Sequence, residues 1–331
     1  MLTYLVKRLF YAAIVITLVV LVVSLIVKVI PGDPVDVMAA GNPGITEEQK
    51  DQLREQLGLT RPALEQFAAY MGGIFQGDLG ESLRFRIPVA QLIAERLPAT
   101  LELTILAMIF AVLIAIPLGI VTALRQGSAI DYSGTVFAVL GVSIPNFVLG
   151  ILLIIIFSID LRVLPSSGRG DFILSAAYNA IIHGDGAVFW KSFRYLILPS
   201  VALALSIIAW NARLTRSAML EALRQDYVQF ARSKGLPNRV IYLKHAFRNA
   251  LIPTITILGL QLGYLLGGTF VIENVFAWPG IGRLAVQAVF WRDYPVIQGI
   301  IVVIGGMFIL INIGVDMIYR RVDPRIRYVG A

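Results

Sequence analysis

The chain has 331 residues, 57% hydrophobic and only 15% charged, with no cysteine, a formal charge of +7 and a pI near 9.7. Water-soluble proteins carry about a quarter charged residues, so a chain this apolar belongs in a bilayer. The missing cysteines exclude a disulfide framework, a thiolate metal site and a thiol nucleophile, while the positive charge takes its meaning from where it lies.

At the N-terminus, Lys7 and Arg8 precede the apolar run Leu9–Val27, as in a secretory signal peptide. The run exceeds the usual core of roughly 7–15 residues and no small-residue cleavage site follows, which favours a retained membrane helix. Six stretches approach the roughly 20 helical residues that cross a bilayer: Leu9–Ile30, Leu101–Leu124, Tyr132–Ile159, Tyr195–Trp210, Leu251–Ile272 and Val296–Ile318. Pro117, Pro145 and Pro199 interrupt the second, third and fourth. Each proline is read either as a simple kink or as a mark of a helix lining a cavity.

Between the first two spans, Pro31–Pro98 carries ten acidic and six basic residues. Thr46 followed by Gln49 is a capping-box pattern, Glu47 and Glu48 suit a helix start, and Gly58 ends the helix. A second helix is predicted over Pro62–Phe75 with Leu64, Phe67, Ala68 and Met71 on one face. The later segment Arg162–Arg194, rich in glycine and serine, reads as a partly ordered loop.

Asn211–Ala250 holds eight basic residues, Arg213, Arg216, Arg224, Arg232, Lys234, Arg239, Lys244 and Arg248, against Glu221 and Asp226. Arg320, Arg321, Arg325 and Arg327 add charge near the C-terminus. The positive-inside rule puts both termini and Asn211–Ala250 in the cytoplasm and Pro31–Pro98 outside. An even number of spans satisfies all three basic regions at once, and topology then accounts for the charge without nucleic acid. The expected fold is an all-α polytopic membrane protein with six transmembrane helices, both ends inside, and a small helical outer lobe. It divides into a first helix over 1–30, an outer segment over 31–98, and a core of five helices over 99–331 that carries the cytoplasmic segment 211–250.

Within that segment Leu220, Leu223, Tyr227 and Phe230 recur at spacings of three and four, predicting one apolar helix face. Gly235 reads as a C-terminal cap and Pro237 as a stop. Asn238 would cap a second helix carrying Val240, Leu243 and Phe247. The hairpin reads either as a charged loop on anionic lipid or as a helix offered to a cytoplasmic protein, and an exposed apolar stripe favours the latter.

The run Asp226-Tyr227-Val228-Gln229-Phe230-Ala231-Arg232-Ser233-Lys234-Gly235-Leu236, with His245-Ala246-Phe247-Arg248-Asn249-Ala250-Leu251-Ile252-Pro253, resembles the cytoplasmic signature loop of ABC importer permeases. The likeness is greatest to the first, B-type permease of the dipeptide/oligopeptide/nickel importer family. Only Ala231 and Gly235 match the general form of the signature, and the peptide subfamily departs in the same way. Pro31-Gly32-Asp33-Pro34, Gly77-Asp78-Leu79-Gly80, Arg96-Leu97-Pro98-Ala99-Thr100 and Ser143-Ile144-Pro145-Asn146-Phe147 are similar to family segments in order. So are Glu273-Asn274-Val275-Phe276-Ala277-Trp278-Pro279-Gly280, Arg292-Asp293-Tyr294-Pro295, and Asp316 with Asp323-Pro324-Arg325.

The resemblance implies a type I ABC importer permease in a bacterial inner membrane. It would pair with a second homologous permease, two cytoplasmic ATPases and an extracytoplasmic substrate-binding protein. ATP and magnesium would be held by the ATPases, with no cofactor in this chain, and the cargo would be di- or oligopeptides, nickel, or a small solute such as glutathione. The residues implied in ATPase docking are Tyr227, Phe230, Ala231, Arg232, Lys234, Gly235, Leu236, Asn238 and Arg239. Asn146, Phe147 and Gln261 are candidates for the substrate pathway, as polar or aromatic groups at membrane depth, although an interhelical hydrogen bond is the simpler role for Asn146 or Gln261. Gly259, Gly263 and Gly267 form a small-residue stripe for helix packing.

No phosphate-binding loop is present, so ATP hydrolysis must come from partners. The two histidines, His183 and His245, fall on opposite sides of the membrane in this topology, which leaves no base for an intramembrane hydrolase and no transition-metal site. The rival of another class is a self-sufficient channel or secondary transporter. Such proteins place charges well inside their spans, whereas Lys28, Glu102 and Asp316 lie near span ends here.

Overall fold

The computed structural model describes residues 2–29, 33–39 and 45–322. Helices dominate: α1 (Leu2–Val29), α2 (Pro34–Ala39), α3 (Glu47–Gln56), α4 (Ala63–Phe75), α5 (Val89–Leu124), α6 (Ala129–Ser143), α7 (Asn146–Leu153), α8 (Ile173–His183), α9 (Gly186–Leu223), α10 (Asp226–Ser233), α11 (Asn238–Val240), α12 (Phe247–Gly268), α13 (Phe270–Val275), α14 (Ile281–Trp291) and α15 (Tyr294–Val322). Wide π turns extend α7 over Ile154–Asp160 and follow α11 over Ile241–Ala246. Among the described residues there is no strand, only one isolated bridge between Glu81 and Pro88.

Four helical stretches, Val89–Leu124, Gly186–Leu223, Asn238–Gly267 and Tyr294–Met317, are long and apolar enough to cross a membrane. The pair α6–α7 would be a fifth, bent by 103°. In α1 the apolar stretch Ala13–Leu25 is shorter; the side chains of Lys28 and of the residues after Met317 are not described, and Pro31-Gly32 and Asp323-Pro324-Arg325 lie outside the described residues. The span expected over Tyr132–Ile159, interrupted at Pro145, is broken there by a sharp bend rather than a simple kink. Its cause is local: Pro145 pushes Ile144 into extended backbone (φ −88°, ψ 121°) and then begins α7. Pro117 and Pro199 break nothing, and α9 runs through Pro199 for 38 residues.

The described residues form two compact units. The first draws on the described residues up to 98 and on 279–309. Here α3 begins on the predicted capping box, with Gln49 N–H donating to Thr46 Oγ1 (3.4 Å) and Thr46 N–H to Gln49 Oε1 (3.1 Å). It ends where Gly58 turns left-handed (φ +66°) and Leu59 N–H reaches back to the Arg54 carbonyl (2.9 Å), a Schellman closure. Lys50 and Arg54 hold α3 to Asp33 and Asp36. α4 forms as expected, with Phe67 and Met71 half-buried, but Leu64 is 69% exposed and Ala68 is exposed too. The packed face is rotated toward Gln66 and Tyr70, because the Gln66 amide seals the preceding turn by donating to the Gly58 and Leu59 carbonyls.

A separate core in this unit joins Val89, Leu92 and Ile93 to Ile281, Leu284 and Ile300. Gly299 lets α15 come so close that a Cβ there would stand 2.5 Å from Val89 Cγ1. Asp293 is fully buried and accepts from Ser82 Oγ and from the amides of Leu83 and Arg84, both at 3.1 Å.

The second unit draws on residues 99–278 and the described residues from 310 onward, and α9 is its axis, packing against α6, α7, α8 and α12. Along α5 the residues Ala99, Leu103, Ala107, Ala111 and Ala115 recur every fourth position and are fully buried. Small side chains at that spacing bring helices close without a hydrophobic solvent effect to help. Gly119 and Gly141 do the same against α9, where a Cβ would stand 2.6 Å from Thr215 Cβ and 2.8 Å from Ala209 Cβ. In the glycine stripe of α12, Gly259 lies against Val315 (2.4 Å for an added Cβ), whereas Gly267 faces open space. The stretch expected as a partly ordered loop contains α8 and the start of α9, capped by Asp185 on the Ala187 amide.

Candidate functional site

α9 stops at Leu223 because Gln225 is extended (φ −74°, ψ 149°), and a new helix starts at Asp226. Its last turns are rooted by Met219, which packs with Ala218 and Ala222 among the small side chains of Ala123, Ala246 and Ala250. Beyond the break, Val228 and Ala231 of α10 are buried against Ile241. The predicted stripe of Leu220, Leu223, Tyr227 and Phe230 is therefore not one face. Leu220 and Leu223 pack inward on α9, while Tyr227 and Phe230 lie on α10 and are exposed, Phe230 to 61%. Counting helical spacing through the extended Gln225 carries the stripe across two helices that point differently.

The turn after α10 follows from its residues. Gly235 is left-handed (φ +73°), its N–H bonds the Arg232 carbonyl (2.9 Å), and Leu236 N–H bonds the Ala231 carbonyl (3.3 Å). That is a Schellman closure, which a Cβ disfavours through backbone strain alone, since no atom lies within 4 Å of where one would stand. Pro237, not Asn238, occupies the capping position of α11, and Asn238 is its first residue. The π turn then rotates the face that packs: Ile241 and Ala246 are buried while Leu243 is 49% exposed, so the expected set of Val240, Leu243 and Phe247 is displaced. One extra residue per turn in a π helix cannot be seen in a 3.6-residue count.

Of the nine residues implied in docking, Ala231 is buried against its own chain and the other eight are exposed. Tyr227, Phe230 and Leu236 supply the apolar part, and Lys234 Nζ stands 4.5 Å over the Phe230 ring. Arg232, Asn238 and Arg239 are exposed around them. A shallow groove of about 400 Å³ lies beside this hairpin, lined by Glu221, Tyr227, Asn249 and Pro253 among others. The arrangement is a basic and aromatic hairpin with exposed apolar side chains.

The pathway candidates sit on different elements. Asn146 is half-buried and Phe147 43% exposed at the start of α7, just past the bend. Gln261, on α12, accepts from the Asn211 amide of α9, which also donates to the Ile207 carbonyl (2.8 Å). One turn further, the Thr215 and Thr254 hydroxyls meet at 3.2 Å. Asn211 and Thr215, both fully buried, were missed by sequence reasoning; polar residues four apart in an apolar helix were the available signal.

Two buried carboxylates of this unit are paired with arginines. Glu102 takes Arg169 through Nε (2.9 Å) and a terminal nitrogen (2.6 Å), and Asp131 takes Arg216 at 2.6 and 2.7 Å. The motif around Glu273 is anchored rather than exposed: Thr100 donates to Glu273 Oε1 (2.7 Å) and the Trp278 indole to the Ala99 carbonyl (2.9 Å).

The chain matches a family model described as binding-protein-dependent transport system inner membrane component over residues 115–328. A model for the N-terminal part of such membrane components matches residues 1–104. Dipeptide transport system permease protein DppB of Escherichia coli (strain K12) is 41% identical over 312 residues, covering 91% of this chain and 92% of that one. The protein of the same name from Alkalihalophilus pseudofirmus is 43% identical over 335 residues, covering 99% and 100%. Among solved structures, an inward-facing MetNI methionine ABC transporter aligns with 71% of this chain and 97% of its own, with a TM-score of 0.52 and 18% identity, a likeness of fold alone.

Proposed function

The chain belongs to the family of binding-protein-dependent transport system inner membrane components, and from that premise we propose that it is the B-type permease subunit of an ATP-driven importer of di- and oligopeptides. The observation that carries the reading is identity above 40% with dipeptide permeases over nearly the whole length of both chains. It forms the translocation pathway with a second homologous permease in a bacterial inner membrane, crossing it six times with both ends in the cytoplasm. Two cytoplasmic ATPases bind ATP and magnesium and engage the hairpin through Tyr227, Phe230, Arg232, Lys234, Leu236, Asn238 and Arg239, with Gly235 and Ala231 setting its shape. An extracytoplasmic binding protein delivers the cargo.

The absence of a phosphate-binding loop from the sequence and the exposure of this basic, aromatic hairpin support the division of labour. Closure of the ATPases on ATP moves the two docking helices of the permease pair together and switches the pathway from inward-open to outward-open. Asn146, Phe147 and Gln261 are proposed to line it. In host cells lacking the gene, uptake of a labelled dipeptide should fall to background and return with the wild-type copy. Intact peptide uptake with lost nickel or glutathione uptake would transfer the cargo to that solute. Uptake by the lone chain in liposomes without ATPase would instead mark a secondary transporter or channel.

A further inference from the structure

Within the second unit, α5, α6 and α9 enclose a cavity of about 580 Å³, within the range of roughly 300–1,000 Å³ typical of ligand sites. Its walls are mainly apolar, with Leu118, Ala138, Val139 and Val142 among them, and two arginines of α9 stand at it. They differ in what they already hold. Arg216 is engaged by both oxygens of Asp131. Arg213 is exposed and, among the described residues, has no ion-pair partner. The hydroxyls of Thr122, Thr135 and Ser143 are spent on their own helices, donating to the carbonyls of Leu118, Asp131 and Val139. That leaves the Arg213 guanidinium as the strong donor of the cavity, with Ser217 one turn further along the same face of α9.

The depth of the cavity is fixed by three chain features. α5 ends at Leu124, α6 starts at Ala129, and the Asp131–Arg216 pair brings α9 to the same level. Two apolar helices ending together mark the edge of the hydrocarbon layer, and Trp210, 53% exposed at the cavity, is the residue type found at that edge. An apolar pocket at headgroup depth with one uncommitted cation fits an amphiphile better than a soluble anion, which would meet the apolar walls without using them.

We propose that this cavity binds an anionic phospholipid, its phosphate on Arg213 and its upper acyl chain along Val139 and Val142. The depth argument rests on the six-span topology proposed above, in which this edge faces the cytoplasm. The binding test below reads neither transport nor orientation, so its failure is separable from theirs.

The full chain, purified with its partner permease in detergent, is incubated with equal phosphatidylglycerol and phosphatidylcholine and the retained lipid read by native mass spectrometry. Phosphatidylglycerol should be retained about tenfold over phosphatidylcholine, the scale of one charge-assisted contact, and Arg213→Gln should abolish the preference. Arg213→Lys, which keeps a point charge, should preserve part of it. Val142→Trp, an exposed position at the cavity, should displace the lipid while leaving Arg213 intact, so the test does not depend on one variant folding. Lys191→Gln, exposed near the opposite end of α9, should change nothing. Equal retention of the two lipids, or an unchanged preference in both Arg213→Gln and Val142→Trp, overturns the proposal. So does an equal loss in Lys191→Gln, which would mark unspecific charge attraction. Displacement of phosphatidylglycerol by inorganic phosphate or an acidic dipeptide would reassign the site to a soluble anion.

Discussion

At the level of single residues, Gly235 and Asp293 show two ways in which one position carries more than its own contacts. Gly235 touches nothing with its missing side chain, so its requirement is conformational: a left-handed backbone costs an ordinary residue roughly 1–2 kcal/mol, while asparagine visits it more readily. Gly235→Val should therefore reduce co-purification of the ATPase by about tenfold or more with membrane insertion unchanged, and Gly235→Asn should restore most of it. If Asn were as harmful as Val, the glycine would be needed for close approach of the partner rather than for its φ. If neither variant lowered co-purification, the docking assignment would be lost. Asp293 is the reverse case, a buried carboxylate whose value is the set of donors it satisfies on Ser82, Leu83 and Arg84. Asp293→Ala should destabilise the chain by about 3 kcal/mol, because those donors stay buried without an acceptor. Thermal unfolding in detergent checks it, and a midpoint equal to wild type would mean that the loop reopens to solvent at little cost. The cap at Gly235 was legible in the sequence, with Pro237 two residues on, whereas Asp293 meets residues more than two hundred positions away.

At the level of elements, sequence reading succeeded where a helix is ended by its own residues and failed where its face is set by a neighbour. The Thr46–Gln49 box and the Gly58 and Gly235 stops are local chemistry and formed as expected. The faces of α4, α10 and the segment after α11 were each misplaced, through a glutamine sealing a turn, an extended residue and a π turn, none of which alters composition. The α9–α12 interface adds a polar layer, Asn211–Gln261 and Thr215–Thr254, between otherwise apolar helices. Hydrogen bonds between membrane helices contribute about 0.6–2 kcal/mol each, since the unfolded chain in lipid also finds partners. A double-mutant cycle of Asn211→Ala and Gln261→Ala should thus return a coupling of about 1 kcal/mol in thermal stability. Zero coupling would show that the two amides do not depend on each other. The same Gln261→Ala variant separates packing from transport: a raised KM for peptide at unchanged stability would mark a pathway residue, and lost stability at unchanged KM a purely interhelical one.

At the level of the whole molecule, the bend in α6–α7 decides the topology, because everything after it changes side if that pair turns back instead of crossing. The charge pattern of Asn211–Ala250 predicts that it crosses. With α1, α5, α6–α7 and α9 each spanning, the basic hairpin returns to the side of Lys7 and Arg8; with α6–α7 re-entrant, it lands opposite them. The prolines were legible in the sequence, but a kink and a 103° break share the same residue, and only the extended Ile144 distinguishes them. The lack of any native cysteine makes the question directly measurable. Ser175→Cys on α8 and Ser233→Cys at the end of α10 introduce one thiol each at exposed positions separated by the single long helix α9. In cells with a permeable outer envelope but an intact plasma membrane, an impermeant maleimide should label Ser175→Cys fully. Ser233→Cys should react only after the membrane is opened. A third thiol at Glu48, exposed in α3, should behave like that at Ser175 if α6–α7 crosses, because α5 and α6–α7 then form a pair that returns the chain to the same side. Opposite behaviour of Glu48→Cys and Ser175→Cys would make α6–α7 a re-entrant loop and reduce the spans to an odd number. The hairpin and Lys7–Arg8 could then not both lie in the cytoplasm.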